Sequence, residues 1–292
     1  MAALVQGLAE LGHRVSLLAP PETKLPGATW IDVPQKVLLG PLDDLVARVP
    51  GDADVLHAHY PIQRLPAGIP FLQTMYGNMG SNPVVPPNNV FLSQNHARRH
   101  GGTSFVYAGL DPATFTFRSA KADYDLFIGR LHSVKGYRWA IAGARRTGRR
   151  LLLAGGWRPS FRRGIRYVGE VDGDRKRELL AGARCLWMPA LWDEPFGLTL
   201  IEALFSGTPV LGTHRGSLPE IVTPDVGALC DSLEELIEAS RTIQSRSAQA
   251  CRAHALRYFT HVIMAEEYVR CYRHLMATGS LPPGRPTPYT IT

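Results

Sequence analysis

Residues 192–220 read WDEPFGLTLIEALFSGTPVLGTHRGSLPE, and this stretch is the most informative about the fold class. Its apolar residues recur at helical spacing, at positions 196, 198, 200, 201, 204 and 205, which predicts a helix over residues 196–205. Ser206 and Gly207 form a typical C-terminal stop, and residues 208–212 predict a buried strand directly after it. The stretch therefore predicts a helix followed by a strand, which is the repeating unit of an α/β protein.

Two carboxylates lie eight residues apart in this stretch, Glu194 just before the predicted helix and Glu202 within it. At a rise of about 1.5 Å per residue they are separated by roughly 10–12 Å, so they could contact two points along an elongated ligand. The backbone N–H groups near Phe196, Gly197 and Leu198 would lie at the helix N-terminus, where phosphate binds readily. The pair of carboxylates alone also fits two glutamates that simply flank a surface helix.

The full string is more specific than the two glutamates. Glu194 and Glu202, with the intervening PFGLTLI, resemble the E-x7-E motif of retaining GT-B glycosyltransferases of the family 4 type, also called glycosyl transferases group 1. The segments GTPVLGT and LPEI fit the same family. The resemblance implies an α/β fold with two Rossmann-like, doubly wound parallel-sheet domains that face a cleft. It also implies that Glu194 lies near the donor sugar and that Glu202 bonds the ribose hydroxyls of the nucleotide.

Two cations follow a second predicted strand, which starts at Asp125. Gly129 and Arg130 come at the carboxyl end of this strand, and Lys135 begins the next helix. Ligands of open α/β sheets bind at the carboxyl ends of strands, so both cations could face one phosphate group. The G-R-x4-K-G pattern also resembles the family, which implies that Arg130 and Lys135 hold the donor diphosphate and stabilise its leaving charge.

These patterns give one candidate site in the second half of the chain. Val168 and Gly169 resemble the family's strand end that borders the nucleotide base, mostly through backbone groups. The catalytic residues that the resemblance implies are Glu194, Arg130 and Lys135. The residues expected to bind the donor are Gly129, Arg130, Lys135, Val168, Gly169, Glu194, Phe196, Gly197, Leu198 and Glu202.

The first half of the chain resembles the acceptor-side lobe of the family. A predicted strand over residues 54–59 ends in His57 and His59, and another leads to Tyr76 and Asn78. We expect His59, Tyr76 and Asn78 to line the acceptor side of the cleft. Many family members have a histidine where Tyr76 stands, and a hydrogen-bonded strand-end histidine without a function explains His59 equally well.

The chain begins at a predicted helix with Leu4, Val5 and Leu8 on one face, whereas the family has a strand and a glycine-rich loop before that helix. The parallel sheet of the first domain is therefore expected to lack its first, central strand. A truncated start is the preferred explanation, and a natively inactive lobe is the alternative.

Length and composition support two folded domains, because 292 residues with 45% hydrophobic and 20% charged side chains can bury substantial cores. We predict an acceptor-side domain over residues 1–118 and a nucleotide-sugar-binding domain over residues 119–276. The last helix, about 257–276, is expected to return to the first domain, and residues 277–292 are expected to form a loose tail. No apolar run approaches the ~20 residues of a membrane span, so we expect a cytoplasmic protein with at most peripheral membrane contact.

The formal net charge of +7 suits an anionic ligand such as a nucleotide diphosphate. Nucleic acid is the rival partner, because eight arginines cluster between residues 145 and 166, namely Arg145, Arg146, Arg149, Arg150, Arg158, Arg162, Arg163 and Arg166. No zinc-finger spacing, RNP-like string or helix-turn-helix signature accompanies them. A solvated helix end and loop is therefore the preferred interpretation, and no nucleic acid is expected.

The resemblance implies a retaining glycosyltransferase that moves a sugar from a nucleotide-diphosphate donor, such as a UDP- or GDP-sugar, to an acceptor hydroxyl. Carbohydrate, natural-product and lipid-linked acceptors all fit. We expect no metal and no other cofactor, because Arg130 and Lys135 would supply the positive charge. A nucleotide- or sugar-binding module with weak or no catalysis is the alternative that the sequence leaves open.

Overall fold

The computed structural model describes residues 1–62, 64–80, 87–159 and 163–289. Packing divides the chain into two compact units. Unit 1 consists of Met1–Gly109 and Phe259–Arg285, and unit 2 consists of Leu110–Tyr258 with the residues from Pro286 onward. The chain therefore leaves unit 1 and returns to it near its end. The sequence placed the boundary near residue 118 and the return at about residue 257.

The helices and strands are numbered in chain order. The helices are α1 Ala2–Glu10, α2 Gln35–Leu38, α3 Leu42–Val46, α4 Gln94–Arg99, α5 Tyr137–Thr147, α6 Gly173–Gly182, α7 Leu198–Phe205, α8 Leu233–Thr242, α9 Ala248–Tyr258 and α10 His261–Thr278. The strands are β1 Ser16–Ala19, β2 Thr29–Asp32, β3 Leu56–Ala58, β4 Phe71–Thr74, β5 Asn89–Val90, β6 Asp125–Ile128, β7 Leu151–Ala154, β8 Ile165–Gly169, β9 Leu186–Met188, β10 Val210–Thr213 and β11 Gly227–Cys230. Unit 1 contains α1–α4, β1–β5 and α10, and the other elements belong to unit 2.

Unit 1 holds two parallel sheets, one of β1 and β2 and one of β3, β4 and β5. No ladder joins β1 to β3 within the described ranges, so the two sheets are separate there. Leu4 and Leu8 of α1 share one core with Met264, Ala265 and Tyr268 of α10. Burial of each such apolar side chain stabilises by about 1.5–3 kcal/mol, so the last helix is part of the core that holds unit 1 together.

Unit 2 is built on one six-stranded parallel sheet in the order β11-β10-β9-β6-β7-β8. From β6 the chain adds β7 and β8 on one side, and it then adds β9, β10 and β11 on the other. All residues of β6, β7 and β10 are buried, as in a parallel sheet that helices cover on both faces. The doubly wound parallel sheet predicted for the second half of the chain is confirmed.

A buried ion pair fixes the start of β6. Asp125 is fully buried and accepts hydrogen bonds from Arg184 Nε at 2.7 Å and Arg184 Nη2 at 2.8 Å. The Trp187 indole N–H donates to the same carboxylate at 3.0 Å, and Arg184 Nη1 donates to the Ser240 carbonyl at 2.8 Å. These partners replace the water that both ions lose, which is the condition for keeping a charge in a protein interior.

Residues 192–220 form the predicted helix and strand, but both elements begin two residues later than expected. α7 begins at Leu198 because Gly197 has a φ of 83°, outside the helical region. β10 begins at Val210, after Pro209, which has no N–H to donate to a ladder. The hydroxyl of Thr208 instead donates to the Leu180 carbonyl at 2.6 Å, so this residue connects the strand start to α6.

The segment after α10, which the sequence predicted to be loose, makes hydrogen bonds in its described part. In unit 1, Ser104 Oγ donates to the Pro282 carbonyl at 2.7 Å. In unit 2, Thr287 Oγ1 donates to the Glu220 carbonyl at 3.2 Å, and Thr287 is buried. The proline-rich composition therefore did not indicate mobility for these residues, because their partners lie far away in the sequence.

The arginine cluster lies at the surface of unit 2 where it is described, and Arg162 lies outside the described residues. Arg146 pairs with Glu234 at 2.8 Å and Arg149 with Asp123 at 3.2 Å, and all four side chains are at least 40% exposed. Exposed pairs of this kind contribute little stability. Their geometry fits the preferred interpretation of a solvated helix end.

Candidate functional site

The order of the unit 2 sheet creates a switch point at the carboxyl ends of its strands. β6 and β9 are neighbours, and the chain winds from β6 toward one edge of the sheet and from β9 toward the other. Ligands of doubly wound sheets bind in the crevice outside such a point. Arg130 and Lys135 follow β6, and Glu194 follows β9. The sheet order therefore explains why residues so far apart in the sequence come to one place.

Lys135 and Glu194 form an ion pair there. Lys135 Nζ donates to Glu194 Oε2 at 2.6 Å, and only 14% and 10% of the two side chains are exposed. The Trp192 indole N–H donates to the same oxygen at 2.8 Å, and Lys135 Nζ lies 4.5 Å from the centre of a Trp192 ring. The ammonium thus contacts both a carboxylate and an aromatic face, and the low exposure strengthens both interactions. The sequence had not singled out Trp192.

Gly216 and Ser217 hold the loop that carries Glu194. The Ser217 N–H donates to the Glu194 carbonyl at 3.0 Å, and the Ser217 hydroxyl donates to the Phe196 carbonyl at 2.7 Å. Gly216 has a φ of 61°, and a Cβ at this position would lie 2.3 Å from the Glu194 backbone nitrogen. Glycine is therefore required for the close approach. The sequence marked the neighbouring segments as family-like, but it assigned no role to Gly216 or Ser217.

Glu202 contacts a different cation, Lys176 of α6. Lys176 Nζ donates to Glu202 Oε1 at 2.7 Å and lies 2.6 Å from Oε2. The approach to Oε2 falls outside hydrogen-bond geometry, so this buried oxygen accepts no hydrogen bond from the described residues. The two side chains are 27% and 13% exposed. The sequence pattern does not indicate this contact, because a run of charged helical residues is typical of a solvated face.

The strand end predicted to border the base lies next to the end of β7. The Val168 carbonyl accepts a hydrogen bond from Arg175 Nη2 at 2.8 Å, and the Gly169 carbonyl accepts one from the Gly155 N–H at 2.8 Å. Both Val168 and Gly169 are half-buried. A ligand that reaches this end of the sheet would therefore meet backbone groups whose positions are already fixed.

The other predicted donor-binding residues differ in exposure. Arg130 is exposed and Leu198 is 48% exposed, whereas Phe196 is only 2% exposed. The Phe196 ring thus packs in the core, and only its backbone remains a candidate for ligand contact. Gly129 is half-buried and its N–H donates to the Ala154 carbonyl at 3.0 Å, so this N–H belongs to the sheet.

In unit 1 the predicted acceptor residues lie after β3 and β4. His59 follows β3 and its Nδ1 shares a hydrogen bond of 2.7 Å with the Tyr76 hydroxyl, while Asn78 lies two residues beyond Tyr76. Tyr76 is 48% exposed and Asn78 is half-buried. Burial lowers the pKa of His59 to about 4 and raises the pKa of Tyr76 to about 12, so both groups are neutral near pH 7.

A buried network supports this pair. His57 Nδ1 bonds to the Tyr272 hydroxyl at 2.8 Å, and His57 Nε2 bonds to the Thr74 hydroxyl at 2.8 Å, which in turn bonds to the Tyr268 hydroxyl at 2.7 Å. The His57 and His59 rings stack with centroids 4.3 Å apart. Burial holds the pKa of His57 well below its ordinary value. The sequence pattern singles out neither Tyr268 nor Tyr272, because apolar helical spacing does not show whether a tyrosine hydroxyl finds a partner.

Neither a metal cluster nor a membrane span is found in the described part of the chain. There, no three His, Cys, Asp or Glu side chains are grouped to hold a metal ion, and no helix combines the length and apolarity needed to cross a bilayer. Asp-x-Asp spacings occur at residues 52–54, 123–125 and 172–174. Each of them contributes at least one carboxylate to an ion pair: Asp52 pairs with Arg14, Asp123 with Arg149, Asp125 with Arg184 and Asp174 with Arg177.

Known proteins resemble this chain in both sequence and structure. The family model of glycosyl transferases group 1 matches residues 123–245, which include all the predicted donor-binding residues. AviGT4, a glycosyltransferase involved in avilamycin A biosynthesis, is 32% identical and superposes with a TM-score of 0.80 over 95% of this chain and 89% of its own. HepE of Anabaena, solved in complex with UDP, is 17% identical with a TM-score of 0.70 over 94% of this chain and 96% of its own, a likeness of fold alone.

A curated relative matches only part of the chain. The phosphatidyl-myo-inositol mannosyltransferase of Mycobacterium leprae is 27% identical over 126 residues, which cover 40% of this chain and 33% of that protein. The matched segments span about a third of the length of the curated relatives. The likeness to AviGT4, in contrast, extends over nearly the whole of both chains. The protein therefore has the two-domain α/β fold of GT-B glycosyltransferases, and it belongs to the glycosyl transferases group 1 family.

Proposed function

We propose that the protein is a retaining glycosyltransferase that moves a sugar from a nucleotide-diphosphate donor to an acceptor hydroxyl. The observation that carries this proposal is the shielded Lys135–Glu194 pair at the switch point of the unit 2 sheet. A cation and a carboxylate that lie side by side suit a sugar diphosphate, which has anionic phosphates next to a sugar with hydroxyl groups. The phosphates need positive charge, and the sugar hydroxyls need a hydrogen-bond acceptor.

The diphosphate would take Lys135 and Arg130 as its cations. Arg130 is exposed directly after β6, so its guanidinium can offer paired donors to phosphate oxygens. The N-terminus of α7 at Leu198 adds backbone N–H groups of the kind that favour anions. These positive groups would stabilise the charge that develops on the leaving nucleotide diphosphate, without a metal ion.

The remaining donor contacts follow from the same site. Glu194 would position the sugar, Glu202 would bind the ribose, and the backbone at Val168 and Gly169 would border the base. In transfer with retention, the leaving phosphate would accept the proton of the acceptor hydroxyl, so no additional side-chain base is needed. UDP is the first nucleotide to test, because the structure of HepE contains it.

The acceptor would contact unit 1 through His59, Tyr76 and Asn78. These groups are polar, and the first two are neutral near pH 7, which suits hydroxyl-rich molecules better than charged ones. Carbohydrate, natural-product and lipid-linked acceptors all remain candidates. The role of AviGT4 in the biosynthesis of avilamycin A supports including natural products among the acceptors tested. We further propose that the protein acts in the cytoplasm, with peripheral membrane contact if its acceptor is lipid-linked.

A binding module without turnover is the second candidate. One observation favours it: both predicted ligand-binding carboxylates, Glu194 and Glu202, already have lysine partners. A ligand must rearrange these pairs before it can use the carboxylates. A protein that binds nucleotides in this way need not align them for transfer.

Calorimetric titration with UDP, GDP and dTDP tests the proposal, followed by transfer assays with the matching sugar nucleotides. We expect at least one nucleotide to bind, and we expect this binding to be lost in Glu202→Ala. Glu238→Ala is a matched control, because Glu238 is a 77% exposed carboxylate of unit 2 on α8, paired with Arg241. Absence of binding for every nucleotide would contradict both candidates, and binding without transfer to any acceptor would favour the binding module.

A further inference from the structure

The contact between Lys176 and Glu202 concerns the sugar of the nucleotide rather than the sugar that is transferred. Lys176 is the fourth residue of α6 and Glu202 is the fifth residue of α7. The two side chains are 27% and 13% exposed, so the ion pair is largely shielded from solvent. Partial shielding makes separation of the two charges more costly than it would be at an open surface.

The ammonium lies in front of the carboxylate rather than to one side of it. Its nitrogen is 2.7 Å from Oε1 and 2.6 Å from Oε2. A ribose that binds a carboxylate with both hydroxyls needs the same region, because its vicinal 2′ and 3′ hydroxyl groups each approach one oxygen. The lysine and a doubly bound ribose therefore compete for one place.

The two oxygens are not equally occupied. Oε1 accepts a hydrogen bond from Lys176, whereas Oε2 accepts none from the residues that the structure describes. Oε2 has only the charge contact with Lys176 Nζ at 2.6 Å, so it is the oxygen whose hydrogen-bonding capacity a ligand hydroxyl would fill. A small shift of the flexible lysine side chain would open Oε2 and still keep the hydrogen bond to Oε1.

We propose that Lys176 shares Glu202 with the nucleotide, so that the carboxylate binds one ribose hydroxyl instead of two. This inference rests on the proposed nucleotide-binding function. It predicts that the site tolerates loss of the 2′ hydroxyl, so that 2′-deoxyribonucleotide donors are accepted almost as well as ribonucleotide donors. Lys176 is then a residue that sets donor specificity through the sugar of the nucleotide.

Contacts at the start of α6 keep Lys176 in position next to Glu202. The neighbouring Arg175 donates to the Val168 carbonyl at 2.8 Å, and the Lys176 N–H donates to the Asp172 carbonyl at 3.0 Å. These contacts fix the start of the helix that presents the ammonium to Glu202. The lysine is therefore positioned by its own helix as well as by the carboxylate that it contacts.

The test compares nucleotides that differ only in the 2′ hydroxyl. Dissociation constants of UDP and 2′-deoxy-UDP, and of GDP and 2′-deoxy-GDP, are measured by calorimetry for the wild-type protein and for Lys176→Met. Methionine keeps an unbranched side chain of similar length but removes the charge. We expect the two members of each pair to bind within about threefold of each other in the wild type. In Lys176→Met we expect the ribonucleotide to bind about tenfold or more tightly than its deoxy analogue, since a hydrogen bond to a charged group has at least this effect.

Arg177→Met is the matched control. Arg177 lies on the same helix and pairs with the exposed Asp174, so its removal changes the charge of α6 without touching Glu202. The ratio of the two dissociation constants should stay at its wild-type value in this variant. A changed ratio in Arg177→Met would assign the effect to general charge and overturn the role of Lys176.

The wild-type ratio tests the inference even if Lys176→Met fails to fold. A wild-type protein that prefers the ribonucleotide by tenfold or more overturns the inference but leaves the proposed function intact. The same holds if the ratio is unchanged in a folded Lys176→Met protein. Absence of binding for all four nucleotides is a different result, because it removes the proposed function itself.

Discussion

Unit 1 and unit 2 build their candidate sites from opposite kinds of side chain. In unit 2 the central contacts are ion pairs, Lys135 with Glu194 and Lys176 with Glu202. In unit 1 they are hydrogen bonds between neutral groups, such as His59 with Tyr76 and His57 with Thr74. Burial lowers the pKa of His57 and His59 in unit 1, whereas the unit 2 contacts join oppositely charged side chains that are partly shielded.

The difference shows what each unit can recognise. Paired charges can exchange partners with an anionic ligand, and their interaction changes with salt and with the charge of the ligand. Neutral donors and acceptors recognise hydroxyl groups and respond mainly to geometry. Ligand binding by unit 2 should therefore depend on salt and on ligand charge, whereas binding by unit 1 should depend mainly on the geometry of its hydrogen bonds.

The largest expected effect comes from the buried ion pair that fixes β6 in unit 2. Asp125→Asn removes the charge that compensates Arg184, which is only 7% exposed and makes two hydrogen bonds to this carboxylate. We expect the free energy of unfolding to fall by about 3–5 kcal/mol, because an uncompensated charge stays buried. Urea denaturation monitored by circular dichroism measures this loss. The control Asp123→Asn, at an exposed pair, should cost less than about 1 kcal/mol.

Lys135→Ala tests whether the paired charges serve an anion. We expect UDP binding to weaken by roughly 30–100-fold, since charge-assisted hydrogen bonds to phosphate are lost, while uridine binding changes by less than about threefold. Calorimetry in low and high salt measures both ligands. The exposed Lys36 provides the control Lys36→Ala, which should behave like the wild type. Equal losses for UDP and uridine would contradict the assignment of Lys135 to the diphosphate.

A fall in pH should destabilise unit 1 before it destabilises unit 2. The pKa of His59 is lowered to about 4 by burial, whereas the unfolded chain takes up this proton near pH 6.5. Between these values the unfolded state binds more protons, so stability is fully present above pH 6.5 and is lost as the pH falls toward 4. The lowered pKa of His59 alone should reduce the free energy of unfolding by about 1–2 kcal/mol at pH 5.

Hydrogen exchange measured by mass spectrometry at pH 7 and pH 5 resolves this loss by unit. Protection should fall more in β3 and β4 than in β6 and β7. His59→Gln should reduce the dependence on pH, because glutamine does not titrate. Equal loss of protection in both units would remove the contrast between a neutral and a charged site.

The smallest expected effect concerns one hydroxyl of the unit 1 network. Tyr272→Phe removes the hydrogen bond to His57 Nδ1 and keeps the ring, so we expect a loss of about 1 kcal/mol. Thermal denaturation measures it, with Tyr60→Phe in the same unit as the control, because the Tyr60 hydroxyl makes no hydrogen bond to the described residues. A loss above about 3 kcal/mol would mean that the hydroxyls act as one cooperative network rather than as separate bonds.

Much of the unit 2 site could be predicted because its residues belong to short local patterns. Glu194 and Glu202 lie in one stretch, and Arg130 and Lys135 in another, so their spacing and resemblance identified them. The pairing of Lys135 with Glu194 could not be read from the sequence, because it depends on β6 and β9 becoming neighbours. The start of α7 was placed too early because the apolar pattern continues through Gly197, where the backbone leaves the helical region.

Contacts between distant residues account for most of what the sequence did not predict. Lys176 is 26 residues from Glu202, and its helix has the polar composition of an exposed surface. Tyr272 is 215 residues from His57 and occupies a position that also suits an apolar packing residue. Hydrophobic periodicity identifies a buried face, but it does not tell whether a tyrosine hydroxyl on that face finds a partner.

The return of α10 to unit 1 has a consequence for synthesis on the ribosome. About 150 residues separate the two segments of this unit, so Leu4 and Leu8 remain without their contacts to α10 while Leu110–Tyr258 of unit 2 is synthesised. At 5–20 residues per second the delay is about 10–30 s. During that interval the nascent amino-terminal segment exposes the apolar face of α1 that packs against α10 in the folded protein. Yield in cells should therefore depend on chaperone binding to this segment more than on the final stability of the protein.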